Sequence, residues 1–568
     1  MDANKRYQAW LEDQQVDETT KQELLELEGQ DNEIYERFYK QLQFGTGGLR
    51  GKLGAGPNRM NLYTVRLATQ ALANVLNANG QGDNGVALAC DSRRLSQEFV
   101  QAAAAVLVEN RIPVYVFREI TPTPLLSFAV RQCQAGAGIM VTASHNPPEY
   151  NGYKVYQSDG GQILSDIAQQ ISEVMEELAL ADVTYSENPV EHPLWTWVDE
   201  DLYTEYYQQL KALCPGREMQ DLSLRVLYTP LHGTGGKFVP RALKEAGFTQ
   251  VDCVLEQLSP DENFPTVKLP NPEEADAFRL AFSQAGNGNY DVIMATDPDG
   301  DRVGVALLKD QGYALLNGNQ IGILLTDYLL QTVPVDQRAN CVVITTIVTT
   351  EMIKPIVRKF GVELIQTLTG FKYIADQMGI LEQKNKRFLF GFEESYGYLA
   401  GNFVRDKDAV MASLLVTQMA AYYKSKGISL LQRLDQLMEE HGFYFERLRS
   451  YAFHSSVEAE KANRFIEDLR QQSFTTIAGL PIRIFRDYLQ GIESDLIDNT
   501  QTPILLPRED VLQWETTAGD RITLRPSGTE PKMKLYVGAV SKNQTETEVK
   551  LAKLEAAFTE LVTKGLEK

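Results

Sequence analysis

The sequence predicts an α/β fold with a different C-terminal end, on three observations. Short apolar runs at residues 85–90, 113–117 and 135–143 alternate with helix-length segments, the rhythm of βαβ units in mixed, largely parallel sheets. Strand followed by a glycine-bearing loop then recurs in three successive blocks without a strict sequence period, which points to three similar α/β domains. The last ~120 residues mix strand and helix more evenly and read as an α+β domain.

In chain order, residues 5–42 show helical spacing rich in Glu and Gln and predict one or two surface helices. Phe44-Gly-Thr-Gly-Gly-Leu-Arg-Gly51 is a loop whose backbone can approach a ligand closely, with Arg50 able to clamp a phosphate or carboxylate. A turn with a solvated arginine is the other reading of it. A helix from Thr64, the strand 85–90 running into Asp91-Ser-Arg-Arg94, a helix from Ser96, the strand 113–117 and a short helix lead to the run 135–143. That run ends abruptly in a polar loop, so Ser144 sits at a strand's end, where open α/β sheets place ligand chemistry. A serine there can be deprotonated, phosphorylated or bound to a metal, or can be a turn former bonded to its own backbone. Residues 165–180 predict a closing helix. The second block holds strands at 222–228 and 291–295, and the third holds strands at 341–346, 362–367 and 387–391.

At 568 residues the chain exceeds one ordinary core, and about 100–200 residues per domain gives roughly three to five domains. Its 43% hydrophobic and 23% charged content argues against disorder, and a formal charge of −21 argues against general nucleic-acid or anionic-membrane binding. An anionic ligand would therefore need a locally basic cleft. Cys90, Cys133, Cys214, Cys253 and Cys341 lack the paired spacing of a disulfide framework or a zinc site. With no signal peptide and no run of about 18 apolar residues, a cytoplasmic enzyme or binding protein is expected.

Three further loops carry chemistry. Asp297-Pro-Asp-Gly-Asp-Arg302 follows a strand directly, and its carboxylates Asp297, Asp299 and Asp301 can converge on one hard divalent cation. An EF-hand would need Gly at the sixth position and Glu at the twelfth, where Arg302 and Leu308 stand. An aspartate nucleophile, as in haloacid-dehalogenase phosphotransferases, is the stronger rival. In Gly391-Phe-Glu-Glu-Ser-Tyr-Gly-Tyr398, Glu393 and Ser395 lie two apart and can point the same way in an extended loop, suited to paired sugar hydroxyls; a hydrogen-bonded edge turn is the alternative. Lys372, Arg405 and Lys407 add positive charge near it. Arg525-Pro-Ser-Gly-Thr529 offers Arg525, the hydroxyls of Ser527 and Thr529 and free amides around Gly528, the makings of an anion nest.

This set of four loops resembles the α-D-phosphohexomutase family over nearly the whole chain. Thr142-Ala-Ser-His-Asn-Pro looks like its phosphoserine loop, and Asp297 to Arg302 like its metal loop. Glu393-Glu-Ser395 looks like its sugar loop, and Arg525 to Glu530 like its phosphate loop. The resemblance implies four domains around a central cleft, here 1–205, 206–312, 313–438 and 439–568. It also implies one Mg²⁺ held by Ser144, Asp297, Asp299 and Asp301, with a phosphoryl group on Ser144 steadied by Arg302. His145 becomes a supporting contact, and Lys154 and Lys407 become proton-transfer candidates. Some members carry a histidine just after the sugar loop, where this chain has Gly397-Tyr398. Together with Leu231-His-Gly-Thr-Gly-Gly236, the motifs look most like the branch that acts on glucose phosphates and also contains pentose-phosphate enzymes. The implied reaction interconverts glucose 1-phosphate and glucose 6-phosphate through glucose 1,6-bisphosphate, with mannose and pentose phosphates as alternatives. A lysine serves as its general base if burial and cationic neighbours depress its pKa. A non-catalytic sugar-phosphate-binding protein is the alternative of another class.

Overall fold

A computed structural model describes the chain except residues 1, 46, 214–220, 287, 311, 454–455, 473, 527–531 and 568. It divides into two compact units, Met1–Ile321 with Phe371–Gly427 and Gly322–Gly370 with Ile428–Lys568.

In the first unit, strands β1 (Gly48–Lys52), β2 (Val86–Cys90), β3 (Val114–Val116), β4 (Ala137–Val141), β5 (Tyr150–Gln157) and β6 (Trp195–Trp197) form one sheet in the order β1-β5-β4-β2-β3-β6. β4, β2, β3 and β6 run parallel, whereas β5 is antiparallel to both β4 and β1. A second sheet orders β7 (Val226–Thr229), β8 (Val251–Cys253), β9 (Val292–Thr296), β10 (Val303–Lys309) and β11 (Gly312–Leu315) as β11-β10-β9-β7-β8, with β7, β8 and β9 parallel. β2, β4 and β9 are buried along their whole length. Strands covered on both faces need apolar residues at every position, so these read as runs rather than alternations. Helices such as Leu62–Ala78 and Ser96–Glu109 cover the first sheet and share its core, which includes Leu72, Phe99, Leu107, Ile139 and Val155.

The parallel pair β12 (Cys341–Thr346) and β13 (Glu363–Thr367) belongs to the second unit, and the antiparallel pair β14 (Arg387–Phe392) and β15 (Tyr398–Ala400) to the first. The C-terminal sheet runs β16 (Phe443–Ala452), β17 (Thr476–Ile477), β18 (Leu480–Asp487), β19 (Ile492–Asp495), β20 (Thr500–Pro503), β21 (Leu512–Thr516), β22 (Arg521–Pro526) and β23 (Lys532–Ser541) along the chain. Its spatial order is β16-β23-β22-β21-β18-β19-β20, with β17 on β18, and every pair is antiparallel. Helices Ser456–Gln471 and Gln544–Glu567 share its core, giving the α+β end the sequence predicts.

Two expectations change. The N-terminal segment makes three helices, Ala3–Glu12, Glu18–Leu25 and Asp31–Phe38, because the Asp17 carboxylate caps the Thr20 amide and starts a new one. Residues 48–52, read as loop, are strand β1, which pairs with β5 in the register Arg50↔Gly152. Gly152 permits this close approach, since a Cβ there would stand 2.5 Å from the Thr142 carbonyl oxygen and 2.8 Å from that of Leu49.

Asp408 starts the buried helix Ala409–Ser425. Its carboxylate accepts the Met411 amide at 2.8 Å and the Tyr206 hydroxyl at 2.8 and 2.9 Å. Burial outweighs these bonds and raises its pKa from 3.8 to about 6. A raised carboxyl pKa means that the folded state keeps a proton the unfolded chain has released, so its contribution is complete below about pH 4 and is lost as pH rises through about 6. Asp408→Asn keeps a capping acceptor without the titration. Thermal unfolding of wild type and variant from pH 4 to 7 is expected to show the wild type losing about 2–3 kcal/mol relative to the variant across that range; parallel profiles would contradict this.

Candidate active site

Three loops at strand ends build the site within the first unit. Ser144 lies three residues past β4 with φ of 52°, a left-handed conformation that a non-glycine residue holds only when its surroundings fix it. The loop 297–302 follows β9 directly, and residues 393–397 turn between β14 and β15. Successive backbone carbonyls of the aspartate loop are each taken by an amide at a different helix start. Thr234 donates to Pro298 at 2.8 Å, Thr123 to Asp299 at 2.8 Å and Ala409 to Gly300 at 3.1 Å. Three positive helix ends thus surround a cluster of negative charge.

Ligand oxygens of Asp297, Asp299 and Asp301 lie within 4.8 Å of one another, all three residues buried. Ser144 Oγ donates to Asp297 Oδ2 at 2.8 Å, and His145 Nδ1 stands 3.1 Å from the same hydroxyl. The Asp301 and Arg302 amides both donate to Asp297 Oδ1 at 3.0 Å. Lys154 Nζ, from β5, reaches Asp299 Oδ2 at 2.7 Å and Asp301 Oδ2 at 3.3 Å, and Lys407 Nζ reaches Asp301 Oδ2 at 3.3 Å. Asp299 Oδ1 and Asp301 Oδ1 are buried with no hydrogen-bond partner among the described residues. Oxygen-only donors, converging carboxylates and two orphaned buried oxygens fit a hard divalent cation such as Mg²⁺.

Family models of phosphoglucomutase/phosphomannomutase α/β/α domains I, II and III match residues 41–182, 201–310 and 317–441. A phosphoglucomutase of Staphylococcus aureus (strain MRSA252) is 38% identical over 513 residues, 89% of this chain and 91% of the relative. The chain belongs to the phosphoglucomutase/phosphomannomutase family. Among solved structures, a member of this family from Burkholderia thailandensis has a TM-score of 0.67 at 19% identity, over 92% of this chain and 97% of that one. An Aspergillus fumigatus N-acetylphosphoglucosamine mutase in complex with GlcNAc-6P and magnesium shares the fold at a TM-score of 0.52 and 13% identity, over 94% and 98% of the two chains. Phosphoglucomutase/phosphomannomutase family members are phosphotransferring isomerases, and this chain is an enzyme of that kind.

The charges of this family member's site depart from one expectation. Burial alone would lower the lysines, but Asp299 and Asp301 outweigh it at Lys154, and Asp301 and Asp406 outweigh it at Lys407, so both ammonium groups are raised. Neither is depressed toward a general base as the chain stands. Burial raises Asp297 well above the carboxylate range, helped by Asp299 and Asp301. Asp301 is held far below that range, because Lys407, Lys154 and Arg302 overcome its burial. Burial, then Arg302 and Arg50, push His145 well down, leaving a neutral imidazole beside Ser144.

Other expected residues divide. Arg50 Nη1, on β1, donates to Asn146 Oδ1 at 3.1 Å in the serine loop. Arg302 pairs with Glu273 at 2.6 Å. Lys372 Nζ donates to Ser165 Oγ at 3.2 Å. The Arg405 guanidinium pairs with Glu382 at 2.5 Å and donates to the Asn402 carbonyl at 3.0 Å, while its amide donates to Ser127 Oγ. It braces its own loop rather than joining the aspartate cluster. The loop of Glu393 and Ser395 is not extended: the Glu393 amide donates to the Gly397 carbonyl at 3.0 Å and closes a tight turn, the edge-turn alternative. Arg525 lies on β22 in the second unit, and Ser527, Gly528 and Thr529 fall outside the described residues. Thr123, whose hydroxyl donates to Asp299 Oδ2 at 3.0 Å, Glu273 and Asp406, which accepts Lys407 at 2.9 Å, escaped the sequence reading. Thr123 alone had a local signal, the Thr-Pro-Thr-Pro start of its helix.

Two outcomes follow from this geometry. A Cβ on Gly397 would stand 2.1 Å from Lys407 Cδ, so Gly397→Ala is expected to displace Lys407 and lower kcat by at least about tenfold, with Tm shifted by only a few degrees. Steady-state kinetics and calorimetry check both halves. Millimolar Mg²⁺ is expected to raise the wild-type Tm and to leave that of Asp301→Asn unmoved; no wild-type rise would remove the cation reading.

Proposed function

We propose that this family member is a phosphoglucomutase, which interconverts glucose 1-phosphate and glucose 6-phosphate through a phosphoserine at Ser144 and a glucose 1,6-bisphosphate intermediate. The observation that carries the reading is Ser144 Oγ, held in a left-handed residue 2.8 Å from the nearest of three clustered buried aspartates. The 38% identical relative named phosphoglucomutase supports glucose as the substrate. Mannose and pentose phosphates are the alternatives, and domain boundaries near 205, 312 and 438 accompany the reading.

In this proposal the phosphoryl group on Ser144 passes to the free hydroxyl of the bound sugar phosphate. The O–P bond to Ser144 breaks, the bond to the sugar oxygen forms, and the hydroxyl proton leaves to a base. The bisphosphate then turns around and returns its other phosphoryl group to Ser144. Mg²⁺, held by Asp297, Asp299, Asp301 and an oxygen on Ser144, would neutralise phosphoryl charge and relieve the pull of the carboxylates on the lysines. With that pull relieved, one of Lys154 and Lys407 would be neutral, taking the hydroxyl's proton and giving it back to the departing sugar oxygen in the second transfer. The other, a cation, would give a proton to the departing Ser144 Oγ and recover it when Ser144 is phosphorylated again. Neutral His145 accepts or donates one hydrogen bond at Ser144 Oγ and carries no charge. Arg50 and Arg302 orient the phosphoryl oxygens. Arg525 with Ser527, Gly528 and Thr529 would hold the distal phosphate, at whichever end of the sugar it lies. The formal charge of −21 disfavours nucleic acid as a partner, the local cations Lys154, Arg302 and Lys407 suit a small sugar phosphate, and no described helix is long and apolar enough to cross a membrane. A cytoplasmic setting fits this chemistry.

A coupled assay with Mg²⁺ and trace glucose 1,6-bisphosphate is expected to show interconversion, fastest with glucose phosphates when mannose and pentose phosphates are compared. Ser144→Ala should lose activity by orders of magnitude. Intact mass and peptide mapping should find phosphate on Ser144 of the wild type. Activity retained in Ser144→Ala would move the nucleophile to Asp297, and binding without turnover would leave a sugar-phosphate-binding protein.

A further inference from the structure

Arg93 sits behind the serine loop, only 3% exposed, and spends its guanidinium on that loop's backbone. Nη2 donates to the carbonyls of Ser144 at 2.6 Å and Asn146 at 2.5 Å, and Nη1 to those of Pro147 at 2.8 Å and Tyr150 at 3.0 Å. Its counter-ion is Asp91, with Oδ2 3.3 Å from Nε. The same Asp91 oxygen accepts the Thr142 hydroxyl at 2.6 Å, and Thr142 Oγ1 in turn accepts the Ser144 amide at 2.8 Å. Phe264 covers the guanidinium, its ring centre 5.0 Å from Cζ.

Four carbonyl oxygens gathered on one buried cation are four partial negative charges withdrawn from the surroundings of Ser144 Oγ. The Ser144 amide is taken by Thr142 and the Asn146 amide by the Ala143 carbonyl, while the His145 amide has no acceptor among the described residues. The arrangement therefore turns acceptors away from an anion on Ser144 and leaves a donor for it. It also supplies the bonds that hold Ser144 left-handed, with Oγ against Asp297.

We propose that Arg93, with Asp91 and Thr142 as its relay, is a positioning residue for phosphoryl transfer, which sets the serine loop so that Ser144 can take up and release phosphate. The inference rests on the Ser144 reading above. Lysine cannot replace Arg93, because its single ammonium cannot serve four carbonyls spread over seven residues. Thr142→Val removes the relay hydroxyl at nearly constant shape, and Thr142→Ser restores it.

The test is the rate at which dephosphorylated enzyme, mixed with glucose 1,6-bisphosphate and Mg²⁺, gains phosphate, followed by quenched intact mass. Bisphosphate affinity and Tm are measured alongside. Arg93→Lys and Thr142→Val are expected to slow phosphorylation by at least about tenfold with affinity within about threefold, and Thr142→Ser to recover most of the rate. Wild-type rates in both slow candidates, or Thr142→Ser as slow as Thr142→Val, would overturn the proposal. If Arg93→Lys fails to fold, the Thr142 pair decides alone. A wild type that gains no phosphate at all would instead bring down the Ser144 reading itself.

Discussion

Three carboxylates brought to one buried point after β9 are the constraint to which the first unit answers. Two unit charges 4 Å apart repel by about 4 kcal/mol at an effective dielectric constant of 20, so the cluster cannot stand without positive partners. Those partners come from far along the chain: Lys154 from the first sheet, Lys407 from the loop after β15, and helix starts at Thr123, Thr234 and Ala409. Each block thus contributes an element to the same few atoms. The electrostatics that ready the site for a cation also fasten the blocks to one another.

Two loops of the site, and a third that donates the Thr234 amide to the aspartate loop, share a second property. Ser144, His232 and Tyr396 are all left-handed non-glycine residues, placed in the serine loop, the loop before helix Gly235–Glu245 and the turn between β14 and β15. Strain of this sort persists only where neighbours over-determine it. Arg93 and Thr142 do so for Ser144. For His232 the ring does so, with Nε2 2.9 Å from Thr266 Oγ1 and Nδ1 3.2 Å from the Ser259 carbonyl.

Much of this was legible in the sequence because it is local. Fully buried strands read as apolar runs, and the loops that end them announce themselves by composition: Ser-His-Asn-Pro after β4, Asp-Pro-Asp-Gly-Asp after β9. The meeting of Ser144 with Asp297 needed only the order of such loops and a family resemblance. What stayed hidden depends on separation. Glu273 lies 29 residues before Arg302, and Thr123 lies 176 before Asp299, so neither pairing leaves a local trace. The charge of the lysines was misread for the same reason, since an ammonium takes its state from carboxylates that only the fold brings near. At Glu393 the extended loop gives way to the edge turn, because period-two reasoning holds inside strands and fails where the chain doubles back, here through a left-handed Tyr396.

The space at Gly397 has a consequence for how such a site can change over generations. The stem of Lys407 fills the volume that any larger side chain at 397 would claim, so the two positions are alternatives competing for one place. A lineage that gains a bulky group at the first therefore moves the long cation at the second from its place. Residues ten apart in the chain are thereby coupled, so that added bulk at one is felt as a displaced charge at the other.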